Sequence, residues 1–202
     1  MGRLMFVILA VISIAFSGHK IMAPCGIGVL YGKMNRLKAL RPYRFGGGMV
    51  DIVQLERSTF KAPPLMLEAG TGSYSEAIAL GAALDYICSI GLDNISGREQ
   101  ALLNEIEQNL RQMDGIRILG TPARRAGCIS FTAEGAHAYD IAKLLDAKGI
   151  AIRFGSFCAQ PALQGFGCDS AVRVSPAFYN TFDEINSFAA ALCRTLELLR
   201  NH

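Results

Sequence analysis

Downstream of Gly91 the hydrophobic period switches repeatedly between 3.6 residues and 2, and a chain patterned this way must build one sheet with helices packed on it. The spacing predicts a long amphipathic helix over 93–113, with Ile95, Leu102, Ile106, Leu110 and Met113 on one face and Gly115 as its C-cap. Short strands are predicted over 116–119 and 128–131, separated by the turn Gly120-Thr121-Pro122. A helix over 138–147 points Ile141, Leu144 and Leu145 inward. A strand over 150–153 leads into a glycine-containing loop that carries Cys158, and another strand covers 172–175. The last helix opens on a capping box, Thr181-x-x-Glu184, and runs to about residue 199 along Ile185, Phe188, Leu192, Leu196 and Leu199. The pattern changes near Gly91, which divides the chain into 1–90 and a compact α/β unit over 91–202.

The first part is less regular. Residues 4–16 are almost wholly apolar and include the β-branched Val7, Ile8, Val11, Ile12 and Ile14, as expected of a strand buried on both faces. The run is shorter than the ~18 residues of a membrane-spanning helix. A targeting segment is the alternative, but no small-x-small cleavage site precedes a polar start. A second strand is predicted over 26–31, then one or two helical turns over 33–40, broken by Arg41-Pro42. Gly46-Gly47-Gly48 marks a loop. A further capping box, Ser73-x-x-Glu76, opens a helix to about residue 90 with Ala77, Leu80, Leu84 and Ile87 on one face.

Composition excludes several classes. A net charge of +3 is too small to argue for nucleic acid or an acidic membrane surface. His19, His137 and His202 are scattered, and the six cysteines (Cys25, Cys88, Cys128, Cys158, Cys168 and Cys193) form no C-x-x-C pair, so no metal site is expected. In a chain this large and apolar the cysteines are expected to be reduced and mostly buried, with Cys158 the exception. A cytoplasmic location is expected, with the N-terminal apolar segment acting as a targeting or membrane signal as the alternative.

Three places hold residue types that do chemistry. An apolar strand ending in Ser17-Gly18-His19-Lys20 brings a hydroxyl, an imidazole and an amine to one spot, suited to a phosphorylated aldehyde. The bland alternative for Lys20 is a solvated loop lysine. Cys158 sits in a glycine-containing loop after Arg153, which puts a positive charge near the sulfur; an inert buried cysteine is the rival. Arg173, flanked by strand residues, has the fork geometry to grip a carboxylate, or else it lies on a solvated sheet face.

Their order along the chain is more telling. Phe16 to Lys20, the glycine-spaced strand from Gly26 to Gly32, Gly46-Gly47-Gly48-Met49, Glu68-Ala69-Gly70-Thr71, Cys158-Ala159-Gln160-Pro161 and the run from Arg173 to Tyr179-Asn180-Thr181 occur in one series. From about residue 14 onward this series resembles the class V pyridoxal-phosphate (PLP) enzymes, in particular the Suf-type cysteine desulfurases and the related selenocysteine lyases. The resemblance implies a partial fold type I transferase, like aspartate aminotransferase: a remnant of the large PLP-binding domain over 1–90 and the small C-terminal α/β domain over 91–202. It implies that Lys20 forms the Schiff base with PLP, that Ser17 and His19 contact its phosphate, and that Thr71 reaches the phosphate in the partner subunit of a homodimer. Arg173, together with Arg153, would hold the carboxylate of L-cysteine or selenocysteine. Cys158 would take the sulfur as a persulfide and pass it to a Suf-type acceptor protein for iron-sulfur cluster assembly.

The chain also departs from the pattern. Residues 1–11 do not match the polar segment that precedes this strand in the family. The upstream region supplying the ring-stacking group and the pyridine-nitrogen aspartate is not in the sequence, so a truncated chain, inactive alone or kept as a binding module, is expected. Ser156-Phe157 stands where histidines are common, and Thr71 is followed by Gly72-Ser73 in place of Pro-Asn.

Overall fold

The structure, a computed structural model, describes residues 12–123, 125 and 127–201. Most of the expected apolar strand, residues 4–11, therefore lies outside the described residues. The chain divides into two compact units, Met1–Gly91 and Leu92–His202.

In the first unit β1 (Ser13–Ser17) pairs antiparallel with β2 (Gly28–Gly32), with Phe16 opposite Val29 and Ser17 opposite Gly28. The link between them is a 3-10 turn, Gly18–Ile21. Gly18 is indispensable there, because a Cβ would lie 2.5 Å from Ile27 Cγ2 while the Gly18 N–H donates to the Ile27 carbonyl at 2.8 Å. The short helix α1 (Met34–Leu37) follows. A second hairpin, β3 (Val50–Val53) with β4 (Ser58–Phe60), was not foreseen. Its turn, Gln54-Leu55-Glu56-Arg57, contains none of the glycine or asparagine that marks tight hairpins, and it is closed by a Gln54 N–H bond to the Arg57 carbonyl.

The helix expected before residue 90 is α2 (Tyr74–Ile90), but Ser73 makes no side-chain cap. Its ψ of 81° falls short of the extended conformation that aims a capping hydroxyl at the helix amides. Only Leu80 of the four expected inward residues is buried. The described part of the apolar strand is likewise not covered on both faces: Ile12 is 55% exposed and Phe16 36%. Among the described residues β1 pairs only with β2, and none of its five residues is buried.

The second unit follows its pattern more closely. Helix α3 (Leu92–Arg111) buries Leu102, Leu103, Ile106 and Leu110. The strands β5 (Ile116–Ile118), β6 (Ile129–Ala133), β7 (Arg153–Gly155) and β8 (Ala171–Val174) form one antiparallel sheet in the order β5-β6-β8-β7. Period-2 alternation turns Ile129, Phe131, Val172 and Val174 to one face, where they pack with α3, α4 (Ala138–Asp146) and α6 (Phe182–Arg200) into a single core. The strand expected over 150–153 begins later than predicted. Ile150 and Ile152 pack on the core from irregular chain, and the Ile150 N–H is taken by the Leu145 carbonyl, so regular pairing with β8 starts at Arg153. A short helix, α5 (Gln160–Gly165), with a proline in its first turn, was also missed.

Thr181 forms the complete capping box. Its hydroxyl accepts from the Glu184 N–H at 3.2 Å, and the Glu184 carboxylate accepts from the Thr181 N–H at 2.8 Å. That backbone bond, with help from the Asn180 amide, holds the Glu184 carboxyl below its ordinary value. Arg98 donates to the Asn180 carbonyl and lies over the Phe182 ring at 4.6 Å, which anchors the start of α6 to α3.

Candidate active site

In the first unit the strand β1 ends at Ser17, and the 3-10 turn then presents His19 and Lys20 outward. This turn touches α2. Among the described residues the Ser17, His19 and Lys20 side chains have no hydrogen-bond or ion-pair partner, so a hydroxyl, an imidazole and an amine stand free within four positions. That donor set fits a group carrying both a phosphate and an aldehyde. Thr71 is exposed one residue beyond Gly70, whose N–H donates to the Gly47 carbonyl at 2.9 Å. The triple-glycine loop and the Glu68-Ala69-Gly70-Thr71 segment, noted separately in the sequence, are thus tied together. Gly46 must be small for that approach, since a Cβ would come within 3.1 Å of the Gly70 nitrogen.

In the second unit the sheet face away from the core is cationic. Arg153 of β7 and Arg173 of β8 are direct cross-strand partners, and Ser130 of β6 is the next in register. Like charges placed directly opposite repel. Neither arginine has a carboxylate partner among the described residues, and the Arg173 Nε is buried with no hydrogen bond. A buried guanidinium N–H left unsatisfied beside a second cation is a place where a small anion, a carboxylate above all, gains from binding.

Cys158 is exposed in the loop that follows β7, and all six cysteines are unpaired. The expectation that the others would be buried is not met. Cys25, Cys88 and Cys193 are exposed as well, the last two on the outer faces of α2 and α6, and Cys128 and Cys168 are half-buried. The Ser156 carbonyl accepts from the Ala159 N–H at 2.8 Å, closing a turn with Phe157 and Cys158 at its centre. Phe157 packs on Leu119, Leu163 and Ala171, and its ring lies 5.0 Å below the Arg173 guanidinium. Sequence reading missed this contact, because nothing in residue spacing says that the loop folds back onto β8.

Among the described residues no group of three or more His, Cys, Asp or Glu is placed to hold a metal ion. A groove of about 400 Å³ between the 149–152 segment, the end of β8 and the first turns of α6 includes none of Ser17, His19, Lys20, Thr71, Arg153, Cys158 and Arg173. Among the described residues no single helix is long and apolar enough to cross a membrane.

Comparison with known proteins identifies the family. The family model described as Aminotransferase class-V matches residues 10–188. A cysteine desulfurase of Synechococcus elongatus is 45% identical over 179 residues, covering 89% of this chain and 29% of that protein. The crystal structure of the Escherichia coli cysteine desulfurase CsdA is 36% identical with a TM-score of 0.90, over 94% of this chain and 47% of the other. An apo cysteine desulfurase from Thermococcus onnurineus is 34% identical with a TM-score of 0.88, over 96% and 48%. The chain spans less than half the length of each of these relatives. It belongs to the class-V aminotransferase family and has the architecture of about half of a fold type I, PLP-dependent transferase.

Proposed function

We propose that this chain carries the lysine and cysteine segments of a PLP-dependent cysteine desulfurase, which converts L-cysteine to L-alanine and keeps the sulfur as a persulfide. The observation that carries this is the unbalanced pair Arg153 and Arg173, with the Nε of Arg173 buried and unsatisfied and the Cys158 loop resting on the same guanidinium. The identity of 45% to a cysteine desulfurase supports it.

When bound, the cofactor supplies a conjugated ring that accepts the electron pair released at the substrate α-carbon. The chain's own residues do the rest. Lys20 would hold the cofactor covalently through its amine and would move the substrate α-proton. Ser17 and His19 hold the phosphate, and Thr71 holds it from the partner subunit of a homodimer. Arg173, with Arg153 beside it, grips the substrate carboxylate through paired N–H donors. Cys158 attacks the substrate sulfur as a thiolate. A sulfur–sulfur bond forms, the carbon–sulfur bond breaks, and alanine leaves after taking a proton at carbon. The persulfide then passes to a sulfur-acceptor protein of the Suf type, for iron-sulfur assembly in the cytoplasm.

Incubating the chain, together with the upstream half of a full-length relative, with PLP and L-cysteine tests this. Alanine release and a Cys158 peptide heavier by one sulfur are expected, and Cys158→Ala abolishes both. Alanine release at the wild-type rate from Cys158→Ala would contradict the role given to that residue. L-selenocysteine as a second substrate separates a selenocysteine lyase, which turns over without Cys158.

A second reading is favoured by one observation. The first unit leaves Leu55, Tyr43, Phe45, Val53 and Ile78 each more than two-thirds exposed, more apolar surface than a self-contained catalyst leaves bare. Alone, the chain is then a folded or binding module without turnover. Failure of the chain to release alanine without the complementary half, and release with it, is the outcome expected of that reading.

A further inference from the structure

We propose that Phe157 is a positioning residue, whose ring holds the Arg173 guanidinium and so fixes the turn that carries Cys158. The inference rests on the roles given above to Arg173 and Cys158, but its test reads thiol chemistry and geometry rather than turnover.

The Cys158 turn is in a conformation its own residues do not favour. Phe157 has φ of 54° and Cys158 has φ of 56°, and they are the two central residues of a turn closed by the Ala159 N–H to the Ser156 carbonyl. Two positive φ angles in a row are the signature of a type I′ turn, which takes asparagine, aspartate or glycine at those positions. A phenylalanine with positive φ is an outlier. Gly155 just before it, at φ 107°, provides the flexibility to enter the turn but not the force to hold it. Such a conformation persists only when its surroundings over-determine it.

Two contacts do so, and both run through the Phe157 ring. One edge of the side chain packs on the small cluster of Leu119, Leu163 and Ala171, on the outer sheet face. The ring face lies 5.0 Å from the Arg173 Cζ, within the range of a cation–π contact. This contact suits Arg173 as well. Arg153 stands directly across the ladder with the same charge, and among the described residues no carboxylate pins either one. A ring stacked on one face of the guanidinium restricts its plane and leaves the N–H edges free to meet a carboxylate. The residue that grips the substrate and the residue that takes its sulfur are therefore held in register by one phenyl ring.

The test is the rate at which Cys158 is alkylated in the full chain, resolved from the other five cysteines by peptide mass mapping. Phe157→Leu keeps the packing on Leu119 and Leu163 but removes the aromatic face, and Arg173→Gln removes the cation. Each is expected to raise the Cys158 rate about threefold, the size of a part-exposed cation–π contact. Such a rise reflects the turn relaxing into many orientations. The double variant is expected to be no faster than either single one, because both remove the same contact. Phe157→Trp, which restores a ring face, keeps the wild-type rate. Thermal melts establish that every variant is folded before it is compared. A wild-type rate in Phe157→Leu shows packing alone holds the turn and overturns the proposal. Single effects that multiply in the double variant, or Phe157→Trp behaving like Phe157→Leu, overturn it equally.

Discussion

At Gly18 a single missing methyl decides whether the lysine-bearing turn can exist. The position is buried, its amide is bonded to Ile27, and any Cβ would collide with the Ile27 side chain. Gly18→Ala is expected to destabilise the first unit by about 1–3 kcal/mol, the range for overpacking a filled site. Hydrogen exchange of the β1 and β2 amides would then speed up while the second unit is unchanged. The sequence shows Gly18 only as a spacer between Ser17 and His19; its constraint, close approach to Ile27, is a tertiary fact. Cys158, Arg153 and Arg173 were legible as residue types in a suggestive order. The stacked Phe157 ring was not, because a turn with two positive φ angles violates the local preferences from which a sequence is read.

The two capping boxes separate what sequence motifs promise from what elements deliver. Thr181-x-x-Glu184 and Ser73-x-x-Glu76 look alike on paper, but only the first closes, with Thr181 at ψ 160° against 81° for Ser73. Thr181→Ala should therefore cost about 1 kcal/mol and Ser73→Ala close to nothing, a contrast read directly from urea midpoints. Helix α3 carries a pH-dependent brace. The Glu107 carboxylate accepts from Arg111 and Arg125, and the Arg111 hydrogen bond above all, then that of Arg125, lowers its pKa against the opposing effect of burial. Its folded value lies below its unfolded one. The stability it contributes is therefore full above the ordinary carboxylate range and is lost as pH falls through the folded value. Glu107→Gln should lower the urea midpoint at neutral pH, and the gap to wild type should close on acidification below that range; a gap that is constant with pH would contradict the brace. The long amphipathic helices and the alternating strands were visible because each buries one regular face. The β3–β4 hairpin and α5 were not, since each is short and lacks the turn or periodic signal that marks such elements.

For the molecule as a whole, the second unit has a closed apolar core under a sheet, whereas the first exposes large apolar side chains on β1, β2 and β3. The same contrast explains why the second unit was the more legible: its elements face one another, and their patterns agree. The expected burial of β1 on both faces presumed covering layers that the described residues do not provide. Relatives about twice as long or longer carry further structure, and in the proposed function the free donors at Ser17, His19 and Lys20 would be this chain's share of a cofactor site. The most direct measurement is borohydride reduction of the purified chain with PLP, followed by peptide mapping, beside Lys20→Ala. The account predicts a visible absorption band that reduction removes, with the cofactor fixed on Lys20 and the band gone in the variant. Label spread over other lysines, and equal in Lys20→Ala, would contradict it.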